Sequence, residues 1–147
     1  MKKILFSLTF LFAVTIHAGH HAKGDDAKSV VKKAYETFAA GDTEAWAALH
    51  ADDLTFTVFG NIPTTGKHIG TDAVIKNVFK PIPTHWPNFN IKHKAIYSDG
   101  NMVFVHSEMT ADGLSTETLH MFRVENGIIQ SFTAFDDTGS MAEALAK

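Results

Sequence analysis

The sequence contains no cysteine and only one arginine, Arg123, among its 147 residues. Without cysteine, the chain has no disulfide bond, no thiolate metal site and no lipid attached to a cysteine side chain. Its 13 basic residues are outnumbered by 16 acidic ones, which gives a formal net charge of −3 at pH 7. A protein that follows nucleic-acid phosphates needs a basic stripe, so we expect no nucleic-acid partner.

Long apolar runs are missing as well, because the one at the N-terminus covers only residues 4–16. A membrane-spanning helix needs roughly 20 apolar residues, so we expect no membrane partner. Lys2 and Lys3 precede the run and the small residue Ala18 follows it. This arrangement predicts a secretory signal peptide over residues 1–18 and export to the periplasm or the medium. Cleavage after Ala22 is the alternative.

Cleavage after Ala18 would begin the mature chain with Gly19, His20 and His21. A free amine, two amide nitrogens and a histidine in third position can bind Cu(II) or Ni(II) in a square plane. The alternative is a spacer that holds no metal, and we favour a flexible segment over residues 19–26. We expect no cofactor.

Helices dominate the first half of the remaining chain. Apolar residues at helical spacing predict a helix over residues 27–40, ended by Gly41. Asp42 is suited to cap a short second helix, and a β-rich run over residues 54–59 follows it. After a predicted loop, a third helix carries the apolar residues from Val74 to Phe79 and stops at a proline-rich segment.

The second half has the pattern of an antiparallel meander. Three Asx-Gly dipeptides, at 99–100, 112–113 and 126–127, separate four β-rich runs. A last helix is predicted over residues 141–146. The sequence therefore predicts an α+β domain over residues 27–147, in which three N-terminal helices and a short C-terminal helix accompany a curved antiparallel sheet. The four runs cover residues 89–98, 102–111, 115–125 and 128–135.

Three phrases of the sequence carry a family resemblance: residues 40–46 with the following 49–53, residues 66–70, and residues 122–129 running to Asp137. They resemble the nuclear transport factor two-like superfamily, and within it the SnoaL-like and ketosteroid-isomerase-like group. The resemblance implies a cone-like fold around an apolar cavity, often in a dimer. Its members include cofactor-independent isomerases, cyclases, dehydratases and epoxide hydrolases, and also proteins that only bind.

The resemblance also implies a difference in chemistry. Many SnoaL-like members have an acidic or otherwise polar residue near position 134, where this chain has Ala134. The aspartate–arginine–aspartate set of the epoxide hydrolases has no convincing counterpart, since Arg123 is predicted to face away from the cavity. A mechanism cannot be transferred directly from either group.

Strand alternation predicts which residues share the cavity. If Asn126 and Gly127 form a two-residue turn, His120 lies opposite Thr133 and Phe122 lies opposite Ser131. We expect this face to point inward because it combines an apolar base with a few polar groups. The predicted inner face comprises His120, Phe122, Val124, Ile129, Ser131, Thr133, Phe135 and Asp137.

His120 is the leading acid–base residue, because an imidazole in an apolar cavity titrates near neutrality. Asp137 is the second catalytic residue, although it is equally suited to cap the last helix. His106 depends on the register of the preceding hairpin. One register pairs Val105 with His120 and sends His106 outward, and the other pairs His106 with His120 and adds Glu108 to a polar cluster.

Aromatic residues are expected to line the mouth or floor of the cavity, with Trp86 in the proline-rich segment beside its entrance. The opposite sheet face, with Leu119, Met121 and Phe132, predicts a homodimer surface. We therefore expect an exported domain that binds a small apolar or aromatic molecule, with an isomerase, cyclase or dehydratase step as its chemistry. A non-catalytic binding or interaction protein is the alternative. The expected aromatic lining residues are Tyr35, Phe38, Trp46, Phe59, Phe79 and Trp86.

Overall fold

A computed structural model describes residues 19–145 of the chain, with side chains from Asp26 onward. The predicted signal peptide and the His20 and His21 side chains lie outside this description. Within it, no helix is long and apolar enough to cross a lipid bilayer.

Two helices open the described part of the chain. Helix α1 spans Gly19–Ala39, so it begins well before the expected start at residue 27, and the backbone of the expected spacer is helical. Gly41 follows the helix with φ of +69°, a left-handed conformation suited to a helix end. Helix α2 spans Thr43–Ala47, and the Asp42 carboxylate accepts a hydrogen bond from the Ala45 N–H at 3.0 Å. The predicted cap is therefore confirmed.

The next segment contains two elements that the sequence did not predict. Strand β2, Gly66–Ile69, lies in the predicted loop, because it forms by pairing with β1, His50–Val58, rather than from its own residue preferences. Helix α3, Thr71–Val74, continues into a π-helical turn at Ile75–Phe79. The proline-rich segment stops that turn, yet it forms a one-turn helix, since proline is tolerated at a helix start. This helix is α4, Ile82–His85.

The predicted meander is confirmed. It consists of β3, Asn90–Asp99, β4, Met102–Ala111, β5, Leu114–Glu125, and β6, Ile128–Asp136. The last helix, α5, spans Thr138–Glu143 and so begins earlier than expected. The helix begins there because Asp137 caps it, and the Asp137 carboxylate accepts a hydrogen bond from the Ser140 N–H at 3.1 Å.

Six strands form one curved, unclosed sheet in the order β2-β1-β6-β5-β4-β3. Strands β1 and β6 pair in parallel, and the other neighbours are antiparallel. Helix α1 packs across β3, β4 and β5. The core lies between helices and sheet, where Leu54, Val105 and Ile129 are fully buried. The architecture is the α+β fold expected from the sequence.

The β4–β5 hairpin adopts the first of the two registers considered. Val105 lies opposite His120, and Glu108 lies opposite Glu117. The register that pairs His106 with His120 is therefore wrong. His106 and Glu108 lie on the outer face, away from the helices, because side chains alternate along the strand.

The β5–β6 hairpin contains a β-bulge that overturns part of the predicted inner face. Val124 lies opposite Ile129 as expected, but the register then shifts and pairs Arg123 with Ser131. Gln130 is the extra residue. Beyond it every side chain of β6 changes face, since a shift of one residue reverses the alternation.

The residues that face inward on β6 are therefore Phe132, Ala134 and Asp136. Phe132 is 6% exposed, whereas Phe135 is 48% exposed on the outer face. The expectation that Ser131, Thr133 and Phe135 point into the cavity is wrong. The expectation that Phe132 lies exposed on the outer, dimer-forming face is wrong as well. His120 lies opposite Ala134 and Phe122 opposite Phe132.

Candidate active site

A cavity of about 90 Å3 lies between the inner face of the sheet and the helices. Most of its wall is apolar and aromatic, with side chains from α1, α2, the π-helical turn and the central strands. Its polar side chains are few and come from different elements, as is usual for ligand sites. They belong to Tyr35, His50, Thr64, His120 and Asp136.

Several expected lining residues do line this cavity, and others do not. Tyr35, Phe38, Trp46, Phe79, Trp86 and Phe122 contribute to its wall. Phe59, expected at the mouth, is an exposed side chain and packs on Phe135 across the outer face, with ring centroids 5.8 Å apart. Strand β1 ends at Val58, whose side chain lines the cavity, so Phe59 follows on the opposite side.

Trp86 lines the cavity without forming an exposed rim. Its side chain is fully buried, and the indole N–H donates a hydrogen bond to the Met141 carbonyl of α5 at 2.9 Å. The expectation that Trp86 flanks an open entrance is therefore wrong. The hydrogen bond compensates the burial of the indole N–H, and apolar contacts around the ring help to anchor the segment.

A hydrogen-bonded chain of three side chains forms the polar part of the wall. Tyr35 Oη, on α1, lies 2.6 Å from Nδ1 of His120 on β5. Nε2 of the same imidazole lies 3.2 Å from Oδ1 of Asp136 at the end of β6. Thr118 also donates a hydrogen bond to Asp136 Oδ1. The side chains of His120 and Asp136 are 7% and 9% exposed, so these hydrogen bonds are shielded from water.

The charges of the site follow from this burial and these bonds. Burial disfavours ionisation of Asp136, but hydrogen bonds from His120 and Thr118 and the charge of His120 outweigh it and lower the pKa of the carboxyl group. Burial, with a further contribution from the Asp136 charge, raises the pKa of Tyr35 well above its usual value. At neutral pH the site therefore holds an ionised Asp136 and a neutral Tyr35.

The ionised carboxylate fixes the hydrogen on one imidazole nitrogen, and the neutral imidazole then has one arrangement. An ionised carboxylate can only accept, so Nε2 of His120 carries the hydrogen that points to Asp136. In a neutral imidazole Nδ1 then holds a lone pair, which accepts the hydroxyl hydrogen of Tyr35. The aspartate orients a base toward the tyrosine.

A second histidine lies behind the tyrosine. The His93 ring packs edge-on against Tyr35 with centroids 4.2 Å apart, and its Nδ1 lies 3.0 Å from Ser107 Oγ. Burial and the nearby charge of His120 lower the pKa of His93, which favours its neutral form. His93 therefore adds no positive charge at neutral pH.

The two other predicted catalytic residues lie outside the cavity. His106 is on the outer face, where its Nε2 lies 2.6 Å from Oε2 of Glu117. Asp137 is exposed and caps α5, and hydrogen bonds from Ser140 and Thr116 lower the pKa of its carboxyl group. Its expected role as a cavity base is wrong, while its alternative role as a cap is confirmed. The residues 26–145 contain no group of three side chains suited to bind a metal ion.

Asp136 is the residue of the hydrogen-bonded chain that sequence reasoning missed. Simple alternation from the Asn126-Gly127 turn places it on the outer face, and only the bulge at Gln130 moves it inward. A bulge of one residue leaves no local signal in the sequence, so alternation alone could not have found Asp136.

Comparison with known proteins supports this architecture. The family model described as "SnoaL-like domain" matches residues 31–132, which is more than half of the chain. The chain belongs to the SnoaL-like domain family. No curated protein matches the sequence.

Solved structures of nuclear transport factor two-like (NTF2-like) proteins are similar to this SnoaL-like chain. One is an NTF2-like protein from Burkholderia thailandensis, with 27% identity and a TM-score of 0.70, which covers 80% of this chain and 95% of that one. A candidate SnoaL-like polyketide cyclase from a Jannaschia species has 13% identity, a TM-score of 0.72 and coverages of 84% and 93%. A candidate ketosteroid isomerase from Kribbella flavida has 17% identity, a TM-score of 0.64 and coverages of 76% and 78%. At these two lower identities the likeness shows the shared fold alone.

Proposed function

We propose that the SnoaL-like domain binds a small apolar or aromatic molecule in its cavity and moves a proton on it without a cofactor. The observation that carries this proposal is the buried chain of Tyr35, His120 and Asp136 in an aromatic wall. An isomerase, cyclase or dehydratase step uses such chemistry. A candidate ketosteroid isomerase and a candidate polyketide cyclase share the fold, so the fold is compatible with chemistry of this class.

Each side chain has a role in the proposed transfer. The oxygen of Tyr35 accepts a proton from a carbon or oxygen acid of the ligand while its own hydrogen moves to Nδ1 of His120. Asp136 stabilises the resulting imidazolium through Nε2. Returning the proton along the same path to another ligand atom completes an isomerisation, and returning it to a departing hydroxyl completes a dehydration.

The size of the cavity limits the ligand. A volume of about 90 Å3 is below the roughly 300–1,000 Å3 of sites for drug-sized molecules. A compact molecule, comparable to one aromatic ring, therefore suits the inner cavity. A wider groove of about 570 Å3 adjoins it and shares the side chains of Phe38, Trp46 and Phe79, so further apolar parts of a ligand would extend there.

The test is a turnover assay with compact unsaturated ketones and hydroxy ketones, followed by proton NMR. We expect His120→Gln and Asp136→Asn each to lower turnover by roughly a hundredfold or more. His106→Gln is the matched control, because it changes a histidine next to a carboxylate on the outer face. Equal turnover in His120→Gln and the wild type would contradict the proposed chemistry.

A second candidate function is ligand binding without turnover. Two observations favour it: both nitrogens of His120 already have partners, and the cavity is small. In this case the same variants would change ligand affinity, and no member of the substrate panel would be converted. Affinity measured by calorimetry beside turnover separates the two functions.

We also propose that the outer sheet face forms a homodimer. The exposed apolar side chains Phe59, Leu119 and Phe135 lie on this face, and Tyr97 adds a fourth along β3. A second copy of the chain is the proposed partner, because a symmetric dimer would bury the same apolar patch of both copies against each other. Sedimentation equilibrium should give a dimer mass for the wild type and a monomer mass for Leu119→Lys. A monomeric wild type at micromolar concentration would contradict the proposal.

Export through a signal peptide is proposed from the sequence alone. Lys2, Lys3 and the apolar run of residues 4–16 support it. Mass spectrometry of the protein recovered outside the cytoplasm should give an N-terminus at Gly19, or at Lys23 if cleavage follows Ala22. Full-length protein retained in the cytoplasm would contradict export.

A further inference from the structure

His50 is a cavity residue to which the acid–base chain assigns no role. It begins β1, and its Nδ1 lies 2.7 Å from the carbonyl oxygen of Trp46. A carbonyl oxygen only accepts, so Nδ1 carries the hydrogen of this bond. Burial lowers the pKa of His50 to about 4, although the bond to Trp46 opposes the shift. At neutral pH Nε2 is therefore an unprotonated acceptor.

The second ring nitrogen of His50 has no hydrogen-bond partner among the described residues, and the residue lines the cavity. The residue is 7% exposed and belongs to the cavity wall. No other described residue forms a hydrogen bond with Nε2. In the described part of the chain, every side-chain nitrogen or oxygen that is completely enclosed does have a partner. Nε2 is therefore not sealed in protein. The ring cannot turn to reduce this exposure without losing its bond to Trp46, on whose indole it stacks at 3.8 Å.

A row of aromatic rings connects His50 to the acid–base chain. Successive ring centroids are 3.8, 4.6, 6.2, 4.0 and 4.8 Å apart. His50 lies opposite Ile129 and His120 lies opposite Ala134, five residues further along β6, so the two polar groups lie apart along one aromatic wall. The row runs through His50, Trp46, Phe79, Phe56, Phe132 and His120.

We propose that His50 Nε2 accepts a hydrogen bond from a hydroxyl or N–H group of an aromatic ligand, away from Tyr35, His120 and Asp136 along the aromatic wall. The ligand class is thus phenolic or N–H aromatic, because a neutral acceptor offers nothing to a carboxylate. This inference rests on the proposed function, since it requires that the cavity hold a ligand. It adds a residue that selects the ligand.

The expected selectivity is a preference for a donor over a methyl group of equal size. Phenol and toluene are the probes, because they differ only in a hydroxyl or methyl group on one ring. Removing His50 should lower the phenol-to-toluene affinity ratio by about tenfold, the usual effect of a buried hydrogen bond that is left unmade. His50→Phe and His50→Gln are the variants, and His106→Phe on the outer face is the control that should keep the wild-type ratio.

Nitrogen-15 NMR of histidine in the wild-type protein gives a second readout that needs no variant. We expect His50 to show the Nδ1–H form, and its Nε2 signal to move on addition of phenol but not of toluene. Equal affinity ratios in all proteins with an unmoved Nε2 signal would overturn this inference and leave the ligand cavity standing. If neither probe perturbs any cavity residue, the inference and the proposed function both fail.

Discussion

Two histidine–carboxylate pairs lie on the same sheet and face opposite ways. On the inner face His120 Nε2 is 3.2 Å from Asp136 Oδ1, and the side chains are 7% and 9% exposed. On the outer face His106 Nε2 is 2.6 Å from Glu117 Oε2, and the side chains are 37% and 56% exposed. The outer contact is the shorter one, yet water screens it, and exposed pairs of this kind contribute little to stability.

The difference indicates that burial, rather than contact distance, makes the inner pair better suited to acid–base chemistry. His120 and Glu117 even belong to the same strand, β5, and alternation alone sends them to opposite faces. The inner imidazole has a neutral tyrosine on its other nitrogen and aromatic rings around it. The outer imidazole shares Glu117 with Lys94 in contact with solvent. The same imidazole and carboxylate groups are therefore shielded from water on the inner face and screened by water on the outer face.

The largest expected effect concerns Phe132 and Phe135 of β6, because the bulge decides which of the two faces inward. Phe132→Ala should lower the free energy of unfolding by about 4 kcal/mol, because it removes a buried ring. Phe135→Ala should cost less than about 1 kcal/mol in the monomer, since that ring is already half exposed. Urea unfolding followed by circular dichroism, at a concentration where the chain is monomeric, measures both. The reverse order would show that β6 has no bulge at Gln130.

The fold could be predicted from the sequence because its signals are local. Helical spacing in α1, the Asp42 cap and the Asx-Gly turns each depend on a few neighbouring residues. At Asn126 and Gly127, φ values of +51° and +77° match the two-residue turn that favours these residue types. Strand β2 was missed because four residues without alternation become a strand only when β1 is beside them.

The site could be predicted only in part because it depends on register. His120, Tyr35 and Trp46 were placed correctly in the cavity, since their positions do not depend on the bulge. Asp136 was not, because one extra residue in β6 reverses every later side chain and leaves no local mark in the sequence. The choice between the two β4–β5 registers likewise depended on a turn length that the sequence left open.

The two buried histidines that line the cavity differ in their partners, and this difference predicts a pH effect. His120 has a carboxylate partner, whereas His50 has only the Trp46 carbonyl, and burial lowers the pKa of His50 from 6.5 to about 4. Between these values the unfolded chain binds a proton that the folded chain does not, so the free energy of unfolding falls as the pH falls. The loss attributable to His50 should reach up to about 3 kcal/mol at the acidic end.

Urea unfolding of the wild type and His50→Gln across this pH range measures the effect. The wild type should lose more stability than the variant on acidification, because glutamine does not titrate. The difference between the two proteins cancels the contributions of the other acids and histidines. Parallel stability curves would show that His50 is protonated equally in the folded and unfolded chains.

A smaller effect is expected for the inner histidine–carboxylate pair. Asp136→Asn should lower the free energy of unfolding by about 2 kcal/mol at neutral pH, because it weakens a buried hydrogen bond to a charged group. The pKa of Asp136 is lowered, so the stabilisation is present above its usual value of 3.8 and is lost as the pH falls through the lower folded value. Wild type and variant should therefore converge in acid.

Glu117→Gln is the matched control on the outer face. Hydrogen bonds from Lys94 and then His106 also lower the pKa of Glu117, but this side chain is largely exposed and water screens its interactions. We expect no measurable change in the free energy of unfolding and no change in turnover. If Glu117→Gln destabilises the chain as much as Asp136→Asn does, then contact distance rather than burial determines the strength of these pairs, and the inner pair has no special standing as the acid–base centre.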